Sequence, residues 1–215
     1  MLYRTLLFDL DDTLYPHQTG LWEAIRLRMD KYMHQRLGLS LEAIPDLRKY
    51  YLETYGTTLR GLQMNNHVDA QDFLAYVHDL PVRRYLQPNP LLRQMLLSLP
   101  QKRFVFTNAD QPHALRVLSA LGLDDCFYGI IDVNALEFIP KPDAQAYWRA
   151  LQLAEANVET TMIFDDAPRN LAPARELGLT TVLVSPEPEA EFDYYLPNLE
   201  DLPKAVPGLW NSQPK

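Results

Sequence analysis

The stretch YRTLLFDLDDTLYP, Tyr3 to Pro16, runs from an apolar segment directly into three carboxylates, Asp9, Asp11 and Asp12. The apolar half offers β-forming residues to both alternating faces, the pattern of a parallel strand covered by helices on each side. An acidic cluster at the end of such a strand has three readings: a solvated turn or helix N-cap, a metal cage, or a nucleophile beside its proton donor. The rest of the chain decides among them.

Three more short apolar runs share this design: Arg103 to Thr107 (RFVFT), Thr161 to Phe164 (TMIF) and Thr181 to Ser185 (TVLVS), with a weaker one at Tyr128 to Val133 (YGIIDV). Leu115, Leu118 and Leu121 recur at helical spacing and stop at Gly122; Leu171, Ala174 and Leu177 do so and stop at Gly178. The alternation predicts an α/β fold with a doubly wound parallel sheet. Between Tyr15 and Leu86 the alternation breaks for roughly 70 residues, far more than a strand-to-helix connection needs. Trp22, Ile25, Met29 and Met33 mark one long amphipathic helix there, and Leu47, Tyr50 and Tyr51, then Phe73, Leu74 and Val77, mark two others. Residues 15–86 are therefore expected to form a helical cap, and residues 1–14 and 87–215 the α/β catalytic core. The proline-rich segment after Ser185 reads as irregular, with a frayed end near Lys215.

Composition narrows the function. A net charge of −8 and a pI near 5.1 argue against a sequence-independent nucleic-acid binder, which needs a basic surface. No apolar run approaches the roughly 20 residues that span a bilayer, and no signal-peptide pattern opens the chain. With a single cysteine, Cys126, there is no internal disulfide and no cysteine-based zinc cluster. The expectation is a cytoplasmic protein with a small-molecule substrate, no nucleic acid or membrane partner, and an oligomeric state on which the sequence is silent.

Ligands of an open parallel sheet bind beyond the carboxyl ends of its strands. The residues there are Asp9, Asp11 and Asp12 after the first run, Thr107 and Asn108 after the second, Lys141 in IPKPD, and Asp165 and Asp166 after TMIF. Converging carboxylates raise one another's pKa unless a cation intervenes. Mg²⁺ suits them, since it takes oxygen ligands, keeps waters and often shares a substrate phosphate. Lys141 adds a second positive charge, and Thr107 with the turn N–H groups can hydrogen-bond phosphate oxygens. One aspartate can then attack phosphorus while another moves the leaving-group proton.

Taken together, these residues resemble the four motifs of the haloacid dehalogenase (HAD) superfamily of aspartate-nucleophile phosphatases. The first is Asp9-Leu10-Asp11-Asp12-Thr13, the second Thr107 in FVFTN, the third Lys141-Pro142, the fourth Asp165-Asp166. The resemblance implies a Rossmann-like core with Asp9 as nucleophile and Asp11 as general acid/base. Thr107 and Lys141 would hold the phosphoryl group, and Mg²⁺ would sit on Asp9, the Asp11 carbonyl and Asp166, with Asp165 nearby. Two departures stand out: Asp12 occupies a position where many members have glycine, and Asp165-Asp166 replaces a common Gly-Asp. The cap and flanks resemble the pyrimidine 5′-nucleotidase branch through Leu14-Tyr15-Pro16, Gly20-Leu21-Trp22, Tyr55 to Leu62 and His67-Val68-Asp69. That points to UMP or CMP as substrate, with Tyr55, Thr57, Thr58 and Arg60 in a glycine-flanked loop reading the base or ribose. The plain alternative is that this loop only joins two cap helices. Phosphoglycolate or sugar-phosphate hydrolysis, 2-haloacid dehalogenation and a phosphate-sensing module are the competing functions.

Overall fold

The computed structural model describes residues 3–188 and 191–210; the end at Lys215, expected to fray, lies outside them. Six parallel strands form one sheet in the order β3-β2-β1-β4-β5-β6. They are β1 (Thr5–Phe8), β2 (Lys102–Phe106), β3 (Gly129–Ile131), β4 (Thr161–Asp165), β5 (Thr180–Val184) and β6 (Tyr194–Leu196). This is the doubly wound, Rossmann-like arrangement, with its strand order reversing between β1 and β4. Strand alternation sorts the side chains cleanly. Leu6, Phe8, Met162, Phe164, Val182 and Val184 face one hydrophobic core, and Leu7, Ile163 and Leu183 face another. Phe8 and Phe164, paired across β1 and β4, stack at 4.3 Å between ring centroids.

Between β1 and β2 lie α1 (Leu21–Leu37), α2 (Ile44–Tyr55), α3 (Thr58–Asn66), α4 (Ala70–Val77) and α5 (Pro90–Ser98). The later crossovers are α6 (Gln111–Leu121), α7 (Ala144–Leu153) and α8 (Pro168–Glu176). Helices α1 to α4 enclose their own apolar cluster, which includes Tyr32, Met33, Tyr51, Leu62, Phe73 and Val77 and is closed by Val133 from beyond β3. At its other end α1 places Leu21 and Ile25 in the cluster that covers β1. Cys126 is fully buried in that same core.

Two local expectations need correction. Tyr55 to Leu62 is not a loop: Tyr55 ends α2, Gly56 turns the chain at φ +82°, and Thr57 caps α3, accepting the Arg60 N–H at 3.1 Å. The segment after Ser185 is not wholly irregular, because Tyr194–Leu196 joins the sheet. Asp193 fastens it by accepting both the Thr181 N–H at 2.8 Å and the Thr181 hydroxyl at 2.9 Å.

Candidate active site

Asp9 follows the last residue of β1, and its N–H is bonded to the Phe164 carbonyl at 2.8 Å, so the backbone of one strand fixes it against another. Its Oδ1 accepts from Lys141 Nζ at 2.8 Å, and the same ammonium donates to Asp165 Oδ2 at 2.6 Å. Lys141 is 1 % exposed and Asp165 not at all, so this is a desolvated ion triad. Asp165 Oδ1 is also taken, by the Ala167 N–H at 3.0 Å and Asn170 Nδ2 at 2.9 Å. Thr13 Oγ1 lies 3.4 Å from both Asp9 Oδ2 and Asp166 Oδ1, bridging the first acidic motif to the last.

Three carboxylates here face one ammonium. Burial, reinforced by Asp165 and Asp11 against the pull of Lys141, pushes the Asp9 carboxyl up to about 7. Burial with repulsion from Asp165, Asp9 and Asp12 pushes Asp166 up to about 8. Lys141 is itself raised, since Asp165 and Asp9 outweigh the burial that opposes its charge. The surplus is negative, and a dication is the counter-charge that this oxygen set suits. Oxygens of Asp9, Asp165 and Asp166 lie within 4.8 Å of one another, a cluster that could hold a metal ion.

Asp11 belongs to the same turn but keeps different company. Its Oδ1 accepts from the Tyr15 hydroxyl at 2.6 Å and from His113 Nε2 at 2.9 Å. Burial alone would raise this carboxyl, but the charge and hydrogen bond of His113, with help from Tyr15 and His78, hold it below the usual carboxylate range. Asp12 occupies the left-handed region at φ 62°, which explains glycine at this position in related motifs, and aspartate tolerates it better than most residues. His17 Nδ1 lies 2.6 Å from Asp12 Oδ2.

Thr107 is 2 % exposed, and its hydroxyl accepts the Ala109 N–H at 3.0 Å. Asn108 braces the loop carrying Lys141: it accepts the Lys141 N–H at 2.8 Å and donates to the Lys141 carbonyl at 3.0 Å. Gly56 presses on the same loop from above. A Cβ there would stand 2.9 Å from Pro142 Cδ and 3.1 Å from the Lys141 carbonyl oxygen, so only glycine permits this approach. Arg169 Nη1 donates to the Gly56 carbonyl at 2.9 Å and closes the contact.

A cavity of about 580 Å³ separates floor from roof. Asp9, Asp11, Asp166, Thr107 and Asn108 line its base; Trp22, Met29, Leu52, Leu59, Phe73 and Leu74 line its apolar wall, and Arg26, Arg48, Lys49 and Arg169 add positive charge. Thr57 and Thr58 reach this cavity, whereas Tyr55 and Arg60 are not among its lining residues. Tyr55 packs edge-on with Tyr50 and Tyr51 instead. His67 ends α3 as an exposed residue at φ 53°. Sequence reasoning missed His113, His78, Asp110 and Asn170. The one local signal was a histidine in the first turn after the strand ending at Thr107.

A sequence profile of haloacid dehalogenase-like hydrolases matches residues 3–178. Phosphate metabolism protein 8 of Saccharomyces cerevisiae is 28% identical over 195 residues, covering 84% of this chain; the chain spans 61% of that relative's length. Among solved structures, the HAD-hydrolase YfnB of Bacillus subtilis superposes with a TM-score of 0.67 at 18% identity, over 95% of this chain and 98% of its own. A HAD phosphatase from Thermococcus onnurineus gives 0.62 at 18% identity (94% and 96%). L-2-haloacid dehalogenase from Xanthobacter autotrophicus gives 0.62 at 16% identity (94% and 97%), so the shared fold does not separate the two chemistries. The profile match over the acidic turn, the buried lysine and the second acidic pair is the decisive one: the chain belongs to the haloacid dehalogenase-like hydrolase family.

Proposed function

We propose that the protein is a Mg²⁺-dependent phosphomonoester hydrolase acting through an aspartyl-phosphate on Asp9, with pyrimidine nucleoside 5′-monophosphates as its substrates. The observation that carries this reading is the Lys141 ammonium held between Asp9 and Asp165, beside Asp166, at the base of a cavity. In this reading Asp9, the Asp11 carbonyl and Asp166 hold the metal. The bound ion supplies charge stabilisation to the phosphoryl oxygens. Asp165, whose two oxygens already accept three hydrogen bonds, steadies Lys141 rather than ligating first.

Asp9 attacks phosphorus, Lys141 and Thr107 hold the non-bridging oxygens, and Asp11 gives a proton to the departing alkoxide. Asp11 then takes a proton from the water that hydrolyses the aspartyl-phosphate. Displacement of a halide asks for no such proton, so a second aspartate placed by two donors favours phosphoryl transfer over dehalogenation. The name of the yeast relative, which places it in phosphate metabolism, agrees with this chemistry.

Residues 1–14 and 87–215 would then carry catalysis and residues 15–86 act as the cap. The cavity volume suits a nucleotide-sized ligand, with Trp22 and Phe73 for a flat base and the Thr57 and Thr58 hydroxyls for its polar edge. The test is phosphate release from UMP, CMP, AMP, phosphoglycolate and sugar phosphates, with halide release from a 2-haloacid in parallel, in Mg²⁺ and in EDTA. Metal-dependent preference for UMP and CMP is the expected result. Activity without that preference retains the phosphatase and discards the nucleotide; halide release alone discards both.

A further inference from the structure

Asp11, to which the reading above gives proton transfer, is tied through one oxygen only. Oδ1 receives both the Tyr15 hydroxyl and His113 Nε2, while Oδ2 has no hydrogen-bond partner among the described residues, and Asp11 lines the cavity. A carboxylate accepts, so Nε2 of His113 must carry the proton. The other ring nitrogen, Nδ1, is buried without a partner among the described residues, an arrangement that a purely structural histidine would be expected to relieve by turning. Its ring is held in place instead. His113 is fully buried in the first turn of α6 and lies face to face with His78, centroids 4.2 Å apart and planes at 17°.

His78 is fixed in turn. Its Nδ1 lies 2.7 Å from Asp110 Oδ1, an oxygen that also accepts the His113 N–H at 3.3 Å, and Arg116 Nη2 donates to its carbonyl at 3.1 Å. His78 follows α4 directly, where the chain leaves the four-helix layer, and its ring lines the cavity.

The geometry points to Tyr15 and His113 as positioning residues for Asp11, with His78 seating the His113 ring so that the placement of the helical layer is felt at the acid/base group. The inference rests on the phosphatase reading. Two donors on Oδ1 present Oδ2 to the reacting oxygen. Asp11, ionised in the resting site, takes a proton from solvent onto Oδ2 as the substrate binds; as the bond from Asp9 to phosphorus forms and the bond from phosphorus to the leaving oxygen breaks, that proton passes to the leaving oxygen. Asp11, then ionised, takes a proton back from the attacking water.

Leaving-group dependence tests this, because a nitrophenolate departs without a proton and an alkoxide does not. kcat/KM is measured for an alkyl phosphomonoester and for p-nitrophenyl phosphate with the full-length Mg²⁺-loaded enzyme and its His113→Ala, His113→Gln and Tyr15→Phe variants, alongside thermal unfolding of each. His113→Ala should lose roughly 10²-fold on the alkyl ester and under about fivefold on the nitrophenyl ester. His113→Gln, which keeps a donor near the Nε2 position, should recover part of that loss. Tyr15→Phe removes only the second donor and should show the same selective loss, which keeps the test valid if the alanine variant does not fold. Equal losses on the two esters, or none, overturn the inference while leaving the phosphatase reading intact. A wild-type enzyme that hydrolyses neither ester removes that reading, and this inference with it.

Discussion

The base of the cavity and its roof are built on opposite principles. At the base, charged groups are buried and tied to one another: Lys141 Nζ donates to Asp9 at 2.8 Å and to Asp165 at 2.6 Å. The roof is four helices around tyrosines, leucines and Phe73, joined by tight turns. Sheet register sets Asp9 and Asp165 at the ends of β1 and β4, and a shift of one residue there moves a charge into an apolar core. Apolar packing in the roof tolerates exchange of shape so long as volume is kept. On the proposed reading, chemistry resides where the backbone is over-determined, and substrate choice where it is not.

That contrast can be broken from its strongest end first. Asp9→Asn should lower turnover roughly 10⁴-fold or more while the far-ultraviolet circular dichroism stays unchanged, because the nucleophile is lost and its shape is not. Residual turnover near the wild-type rate would show that the base does not work as described. Lys141→Met leaves Asp9 and Asp165 facing each other unneutralised; denaturant unfolding of the metal-free protein should show a loss of about 3–5 kcal/mol. Gly56→Ala tests the seam where roof meets base. Both the left-handed backbone and the 2.9 Å approach to Pro142 oppose a methyl group, so stability should fall by about 1–3 kcal/mol, with a lower kcat as the Lys141 loop shifts.

The charge surplus at the base makes a prediction of its own. Without metal, Asp9 and Asp166 are raised from 3.8 to about 7 and about 8, so the folded chain keeps protons that the unfolded chain releases. Their contribution is complete below about pH 4 and is lost as pH rises through 7 to 8. On the proposed reading Mg²⁺ binds the ionised form, so the difference in unfolding temperature between Mg²⁺ and EDTA should widen from about pH 5.5 to about pH 8.5. A difference independent of pH would place the cation elsewhere. The smallest effect belongs to the roof: Arg60→Ala, outside the cavity lining, should change KM less than about twofold.

The base was largely legible because its residues advertise themselves locally. β1 and β4 are apolar runs that stop at carboxylates, and a buried lysine before proline interrupts the chain between strands. The roof was less so. α3 hides behind Thr57, Thr58 and Gly61, which read as a loop; Gly61 is there because a Cβ would collide with the Tyr51 ring. β6 hides because it has three residues in a proline-rich setting and depends on Asp193, a contact twelve residues from its partner. His113 shows in the sequence as a histidine soon after the strand ending near Thr107, but its stacking on His78 has no local signature. The two rings meet only because α6 packs beside the exit of α4, and sequence spacing carries no record of that packing.

Phosphorylation of Asp9 is the step on which the proposed mechanism depends. Enzyme quenched during steady-state turnover of its best phosphomonoester, then reduced with borohydride, converts an aspartyl-phosphate to homoserine, which peptide mass spectrometry locates. Homoserine should appear at position 9 in Mg²⁺ and not in EDTA. Rapid turnover with position 9 unmodified and homoserine at another aspartate, or at none, would contradict that mechanism.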